Sequence, residues 1–331
     1  MASDVNIPLI DLSDLGTSDD SDNRLAAAVR AACLGHGFFM VSQYGLDEGL
    51  MADVFAASRR FHDLPLEDKN AIKLNHWHRG YQGFATSKLV SSARFAPAVA
   101  ANQLSSFFLR QEVSPDHPDY MRAALKGPNQ WPDDPDFREV VSRYDTAVRH
   151  LAHRLLPLFA LAVGEPPDFF GPYFNDATTA LRLIHYPPSE APSDGGLGIQ
   201  PHTDYGFITI LAQDDIGGLE IQLPEGRWMP IPPLPGTLII NIGDALARWT
   251  NDTFNSTPHR VISPKVTTAR YSVALFFDPG MDTTIRCLDQ FTTPAKPPRH
   301  PAIRYGDYIE KRLNSNYPDP VGETGVEAAK G

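Results

Sequence analysis

The chain has 331 residues, of which 42% are apolar and 21% are charged, a balance typical of globular proteins. Its formal net charge of −11 argues against nucleic-acid binding, because an acidic chain repels phosphate backbones. No apolar run is long enough to span a membrane, and the N-terminus lacks the regions of a signal peptide. The two cysteines, Cys33 and Cys287, form no CxxC pattern, which favours a reduced, cytoplasmic protein. Nothing in the sequence implies a protein partner.

The first half of the chain predicts short strands between helices. A strand is expected at residues 6–15 and another at 38–43, while "RGYQGF" from Arg79 looks irregular. Periodic apolar residues and capping signals predict helices at residues 21–37 and 47–61, a helix opening at Pro65, and a long helix at residues 136–164. Pro157 is expected to bend the last of these.

After about Thr178 the pattern changes to short apolar or alternating runs broken by Pro, Gly and Asp. This texture predicts an antiparallel sandwich or barrel. A short helix is expected to interrupt the strands at "GDALARWTN", and another is expected to follow them at residues 305–313. Thr178 is therefore a soft boundary between residues 1–177, a mixed α/β supporting segment, and residues 178–315, a β core. Residues 316–331 are expected to form a flexible tail.

The stretch "PHTDYGFITILAQ" places His202 and Asp204 at the head of an alternating run. On a strand these two residues share a face and lie about 6.5–7 Å apart along the backbone. They could be surface groups, a buried hydrogen-bonded pair, or two ligands of a metal. His259 in "STPHRVIS" is the best candidate for a third ligand, because it also begins a β run after a polar turn. Two histidines and one carboxylate form the facial triad of non-haem Fe(II) oxygenases.

In "RYSVALFF", Arg270 and Ser272 share a face that continues with the apolar Ala274 and Phe276. An arginine directed into an apolar interior needs an anionic partner, because a buried, unpaired guanidinium is costly. A carboxylate-bearing small molecule would satisfy it, and so would an internal Asp or Glu. The spacing alone leaves both alternatives open.

Together these motifs resemble a known family. "HTDYGFITILAQDDIGGLEIQ", "IINIGDALARWTNDTFNSTPHRV" and "RYSVALFF" are similar to the 2-oxoglutarate- and Fe(II)-dependent oxygenases of the isopenicillin N synthase-like group, and so are the N-terminal "IPLIDLSDL", "HGFFMVSQYGL", "FHDLPLEDK" and "RGYQGF". The resemblance implies a mainly β fold with flanking helices around a double-stranded β-helix, a cupin-like jelly roll. That catalytic core would occupy residues 178–315.

The resemblance also implies the roles of individual residues. Fe(II) would be bound by His202, Asp204 and His259. The cosubstrate 2-oxoglutarate would contact Arg270, Ser272 and Tyr186, the last in "LRLIHYPP". Ile184 stands where the family often has an asparagine, which removes one polar contact.

Four further residues are candidates for the pocket that holds substrate or cosubstrate. They are Arg182, which alternates with Tyr186 on one face, and Phe276, His78 and Tyr81. Arg110 lies where many relatives carry Lys-Glu, so the substrate end departs from the family pattern. By contrast, His150 and His153 on the long helix are read as a solvated or packed pair.

The resemblance implies an oxygenase that uses Fe(II), 2-oxoglutarate and O₂ to hydroxylate a small molecule, releasing succinate and CO₂. Three alternatives stay open at this point. One is an Fe(II) and O₂ oxidase that does not use 2-oxoglutarate, and another is an enzyme of the ethylene-forming type. The third is a non-catalytic binding protein on the same scaffold.

Overall fold

The computed structural model describes residues 7–88, 98, 100–121, 123–188, 197–263 and 268–316. Within these residues the helices are α1 (Asp19–Leu34), α2 (Glu48–Asp63), α3 (Leu66–Ala71), α4 (Pro135–Val163), α5 (Asp244–Trp249) and α6 (Tyr305–Asn316). The strands are β1 (Leu9–Asp11), β2 (Phe38–Ser42), β3 (Gly80–Gln82), β4 (Ser105–Leu109), β5 (Thr178–Tyr186), β6 (Leu197–His202), β7 (Ile208–Gln213), β8 (Leu219–Gln222), β9 (Trp228–Pro230), β10 (Leu238–Ile242), β11 (His259–Ile262), β12 (Arg270–Asp278), β13 (Thr284–Ile285) and β14 (Ile303–Arg304).

Two sheets face each other to form the sandwich. The larger sheet has the order β1-β2-β10-β7-β12-β5-β4-β3, and the smaller one has the order β6-β11-β8-β9. A buried apolar layer fills the space between them, with Ile184 and Ala274 from the large sheet and Ile199, Ile221 and Val261 from the small one. The architecture is the mainly β jelly roll with flanking helices that the sequence predicts.

The helices cover the other face of the large sheet. Helix α4 packs against α1 and α2, and together they bury a second, larger core against the outer face of the central strands. Helix α4 begins where Asp134 caps the amide of Phe137 and ends at Gly164, which adopts a left-handed conformation with φ 89°. None of the described helices has both the length and the apolarity needed to cross a membrane.

The structure differs from the sequence predictions in several elements. The predicted strand at residues 6–15 is shortened to β1. The long helix, by contrast, matches its predicted range of residues 136–164, since α4 continues through Pro157 to Val163. The segment read as irregular contains β3, because Gly80–Gln82 pairs with Phe108, Phe107 and Ser106 on β4.

The boundary near Thr178 does not divide the sheets. Strands β1 to β4, which precede it, complete the same sheet as β5, β7, β10 and β12, which follow it. The division into residues 1–177 and 178–315 stays a prediction about folding units. The predicted flexible tail falls almost wholly on residues 317–331, which lie outside the described part of the chain.

Candidate metal centre and active-site cavity

The two histidines of the HxD and HRV motifs are direct cross-strand neighbours. His259 at the start of β11 pairs with His202 at the end of β6, and their ring centroids are 4.2 Å apart. Asp204 lies in the loop between β6 and β7, so the prediction that His202 and Asp204 share a face at the head of one strand is wrong: His202 ends β6, and β7 begins only at Ile208. One donor atom from each of the three residues can be chosen so that all lie within 4.8 Å of one another. A pairing between strands that are distant in sequence thus assembles the three groups.

Backbone carbonyls fix the orientation of both imidazoles. The Nδ1 atom of His202 lies 2.9 Å from the carbonyl oxygen of Gln200, and Nδ1 of His259 lies 3.2 Å from that of Thr257. A carbonyl can only accept a hydrogen bond, so each Nδ1 carries the proton and donates it. The Nε2 atoms then carry free lone pairs, and they face Oδ1 of Asp204 at 3.8 and 3.7 Å.

The second carboxylate oxygen of Asp204 is held from the opposite side. Its Oδ2 accepts hydrogen bonds from the hydroxyl of Thr209 at 2.5 Å and from the amide of Asn241 at 2.7 Å. Thr209 and Asn241 are paired residues on the neighbouring strands β7 and β10, so their side chains emerge side by side. This leaves Oδ1 as the oxygen that faces the two imidazoles.

The protonation states of these groups suit a divalent cation. Burial and the neighbouring His259 lower the pKa of His202 to about 3. Burial by itself would raise the pKa of Asp204, but the two histidines and the bonds from Thr209 and Asn241 outweigh it and hold that pKa below its usual value. Neutral imidazole and ionised carboxylate are the forms that bind metals, and this nitrogen and oxygen donor set fits Fe(II).

A buried arginine lies on the inner face of β12. Arg270 is 1% exposed, and its guanidinium lies 4.7 Å from the ring centroid of Tyr186, its register partner on β5. It donates from Nε to the carbonyl of Gly217 at 2.5 Å, from Nη1 to Ser272 at 3.3 Å and from Nη2 to Gln213 at 3.3 Å. All these acceptors are neutral. The sequence left open whether Arg270 pairs with an internal Asp or Glu or with a bound carboxylate. Within the described residues, no Asp or Glu lies at ion-pair distance from its guanidinium.

A cavity of about 110 Å³, partly open to solvent, adjoins His202 and Asp204. Arg182 and Phe276 line it, as do Phe108, Arg110 and Asp278. Arg270, Ser272 and Tyr186 are not among the described residues that line it, and each is at most 2% exposed. Leu211 and Phe276 are only partly buried members of the apolar layer, and Phe276 also lines the cavity.

Two of the residues predicted for the pocket lie elsewhere. Tyr81 belongs to the outer core, where its ring meets Phe61 at 6.0 Å between centroids, because β3 pairs Tyr81 with the core residue Phe107. Its neighbour Gln82 has the inward orientation instead. His78 is buried outside the cavity lining, and burial followed by the charge of Arg110 lowers its pKa to about 3.

Comparison with known proteins identifies the family. A model of the 2OG-Fe(II) oxygenase superfamily matches residues 177–279, and a model described as non-haem dioxygenase in morphine synthesis N-terminal matches residues 7–134. A 2-oxoglutarate-Fe(II) type oxidoreductase, hxnY, of Emericella nidulans is 34% identical over 321 residues, covering 94% of this chain and 90% of that protein. The chain belongs to the 2OG-Fe(II) oxygenase superfamily.

Other relatives of this 2OG-Fe(II) oxygenase agree. The 2-oxoglutarate-dependent dioxygenase caaD of Aspergillus niger is 32% identical over 328 residues, covering 96% of each chain. A full-length Neurospora crassa protein, crystallised in complex with alpha-KG and thymine, superposes with a TM-score of 0.83 at 27% identity, covering 95% of this chain and 98% of that one. The predicted family, fold class and enzyme class are confirmed. The protein is a 2-oxoglutarate-dependent dioxygenase, and its family uses Fe(II), 2-oxoglutarate and O₂.

The structure of this oxygenase also shows partners that sequence reasoning missed. Thr209 and Asn241 hold Asp204, and Gln213 accepts from Arg270. Each is a polar residue in an otherwise apolar strand, in "FITILAQ" or "GTLIINI". A buried polar group on a strand face needs a hydrogen-bond partner, so these residues could have been recognised from the sequence as partners of other buried polar groups. His153 on helix α4 packs edge-on against Phe277, which agrees with its interpretation as a packed residue.

Proposed function

We propose that this dioxygenase hydroxylates a small organic molecule in the cavity beside His202 and Asp204. In this proposal Fe(II) is bound by Nε2 of His202, Nε2 of His259 and Oδ1 of Asp204. The observation that carries the assignment is the convergence of these three buried donors, each oriented by a bond from its remaining polar atom. Hydrogen bonds that orient the ligand side chains in this way are typical of functional metal sites.

The cosubstrate site is assigned to Arg270, Ser272 and Tyr186. A buried guanidinium whose hydrogen-bond acceptors are all neutral fits the far carboxylate of 2-oxoglutarate, because the charge-assisted, two-pronged pair offsets the cost of burying it. The ring of Tyr186 supports one side of the guanidinium.

When bound, iron and 2-oxoglutarate activate O₂, so that the cosubstrate is oxidised to succinate and CO₂ while the substrate gains a hydroxyl group. The chain itself orients the reactants and excludes water. Arg270 fixes the orientation of the cosubstrate, and the apolar walls of the cavity limit access of water near the metal. Arg182 and Phe276 contact substrate or cosubstrate in this arrangement, because both line the cavity.

The finer expectations about setting are part of the proposal. The net charge of −11 supports a protein that does not bind nucleic acid, and the absence of any CxxC pattern supports a reducing, cytoplasmic location. No membrane association is proposed. The relatives named as 2-oxoglutarate-dependent enzymes favour this function over an oxidase that does not use 2-oxoglutarate.

The direct test is a balance of products in the iron-loaded protein. We expect O₂ consumption that requires both Fe(II) and 2-oxoglutarate, with one succinate formed for each O₂ consumed. Oxygen uptake without 2-oxoglutarate would indicate the oxidase alternative, and ethylene in the headspace would indicate the ethylene-forming type. No uptake under any condition, with metal and 2-oxoglutarate bound, would indicate a binding protein.

A further inference from the structure

The cavity carries more positive charge than the chain as a whole would suggest. Lys88, Arg110 and Arg182 line it, whereas the acids of the lining are Asp204, which belongs to the metal centre, and Asp278. The chain has 40 acidic residues and only 29 Lys and Arg residues. Three cationic side chains on one cavity of an acidic protein create a local field that favours an anion.

Arg182 has the geometry of a prepared binding group. Its Nε donates to the hydroxyl of Ser106 at 3.1 Å and its Nη2 to the amide oxygen of Gln82 at 2.9 Å. The guanidinium lies 4.8 Å from the ring centroid of Phe108, its register partner on β4. These contacts fix the plane of the side chain, and none of them neutralises it.

One edge of that guanidinium is left for a ligand. The Nη1 atom of Arg182 has no hydrogen-bond acceptor within the described part of the chain, and it is not among the fully buried polar atoms without a partner. The residue as a whole is 9% exposed and lines the cavity. A charge so little exposed is stabilised by an anion that enters the cavity.

Arg110 adds a second guanidinium to the same wall. It follows Phe108 by two residues along the chain, is 8% exposed, and donates from Nη1 to the carbonyl of Thr179 at 3.3 Å. Asp278, an acid on the same cavity, accepts a hydrogen bond at Oδ1 from the amide of Phe207 at 2.8 Å. Burial raises the pKa of Asp278 to about 6, so this carboxyl is still mostly ionised at pH 7 and offsets part of the positive charge of Arg110.

Most of the remaining surface of the cavity is apolar, although the polar residues Ser87, Asn102, Thr178, Thr203 and Asn316 also line it. Ile199 and Phe276 come from the two sheets, and Ile309 and Leu313 come from helix α6, which covers the cavity from the C-terminal side. A ligand that satisfies both parts has one anionic group and an apolar body.

We propose that the primary substrate is a small carboxylic acid with an apolar body, and that Arg182 binds its carboxylate. Lys88 and Arg110 strengthen the positive potential at that end of the cavity. The apolar body lies against Phe276 and the α6 residues, close to the metal ligands. This inference rests on the proposed function, because it takes the metal centre and the 2-oxoglutarate site as assigned above.

The test compares acids with their neutral analogues. The probes are hexanoate, octanoate, phenylacetate and 3-phenylpropanoate, each beside its primary amide. Their affinities are measured by calorimetry on the full chain loaded with Ni(II) and saturating 2-oxoglutarate, a state that cannot turn over. We expect the acid to bind at least about tenfold more tightly than the amide in one or more pairs, as a charge-assisted pair predicts. Equal affinities throughout, or no binding by any acid, would overturn the proposal.

Variants locate the preference. Arg182→Gln should reduce acid affinity to the level of the amide, leave amide affinity unchanged, and leave 2-oxoglutarate affinity unchanged. Retained amide and 2-oxoglutarate binding shows that the variant is folded. Arg182→Lys should keep part of the preference, since it keeps the charge and loses the fork. Arg24→Gln is the matched control, because Arg24 lies exposed on helix α1.

The outcomes separate this inference from the function beneath it. If Arg182→Gln weakens 2-oxoglutarate rather than the acids, Arg182 holds the cosubstrate and the inference is wrong. If the acids retain their preference in that variant, the carboxylate is bound elsewhere. If wild-type protein loaded with metal does not bind 2-oxoglutarate at all, the proposed function itself fails.

Discussion

Thr209 and Asn241 stand opposite each other on strands β7 and β10, and both donate to the same oxygen of Asp204. All three residues are at most 8% exposed. With Oδ2 occupied twice, the carboxylate cannot rotate freely, and Oδ1 alone is directed towards His202 and His259. Strands β7 and β10 therefore orient the proposed metal ligand Asp204, although neither strand supplies a metal ligand itself.

Removing this support should weaken the metal centre. Asn241→Leu takes away one charge-assisted bond, and we expect Fe(II) affinity to fall about 10–100-fold, as for other outer partners of metal ligands. Thr209→Val should act in the same direction. Thr209→Ser keeps the hydroxyl and serves as the matched control. Anaerobic Fe(II) titration measures the effect, and unchanged affinity in Asn241→Leu would show that Asp204 is held without it.

Each of the three proposed ligands should be essential for iron binding. His202→Ala, Asp204→Ala and His259→Ala should each abolish Fe(II)-dependent succinate release while the circular dichroism spectrum is retained. His300→Ala is a suitable control, because His300 lies outside the cavity and pairs with Asp252. Bound iron is measured after desalting. Near-wild-type iron content and turnover in any one variant would remove that residue from the site.

The cosubstrate assignment depends on Arg270. Truncating one member of a buried charge pair typically costs about 2–5 kcal/mol, so Arg270→Gln should raise the KM for 2-oxoglutarate at least about tenfold. Arg270→Lys should recover part of the loss, and Arg304→Gln, at an exposed arginine paired with Asp282, should change nothing. Fe(II) affinity should stay close to wild type. A higher KM for the primary substrate instead would place that substrate on Arg270.

Stability should fall in mild acid because of buried neutral histidines. Burial and the neighbouring His185 lower the pKa of His62 to about 3, against about 6.5 in an unfolded chain. Between these values the unfolded state binds more protons than the folded state. The free energy of unfolding is therefore unaffected by His62 above about pH 6.5 and decreases as the pH falls towards 3. For this one group the loss between pH 7 and pH 5 is about 2 kcal/mol.

Urea unfolding at the two pH values tests this prediction. In His62→Gln the drop in unfolding free energy between pH 7 and pH 5 should be smaller by about 2 kcal/mol than in wild type. His117→Gln replaces an exposed histidine and should keep the full drop. An identical pH dependence in wild type and His62→Gln would contradict the lowered pKa.

Much of the site could be predicted from local sequence. A strand has a period of two, so RxS puts Arg270 and Ser272 on one face of β12 whatever the rest of the fold does. The HxD spacing correctly singled out His202 and Asp204, although Asp204 lies in the loop after β6 and not on a strand. The short alternating runs after Thr178, broken by turn residues, likewise predicted the sandwich. His202, Asp204 and His259 could be proposed together because the chemistry of a metal centre requires a third donor, and "STPHRVIS" offered one at a strand start.

Only the tertiary structure decided the contacts that depend on strand order and register. Tyr81 lies in the outer core and Gln82 faces Arg182, because β3 pairs with β4 in one register, and a shift of one residue would exchange them. The support of Asp204 by Thr209 and Asn241 needs β7 to lie beside β10. Pairing partners far apart in sequence are chosen by the packing of the whole core, so a local pattern determines which side chains share a face but not which side chains they meet.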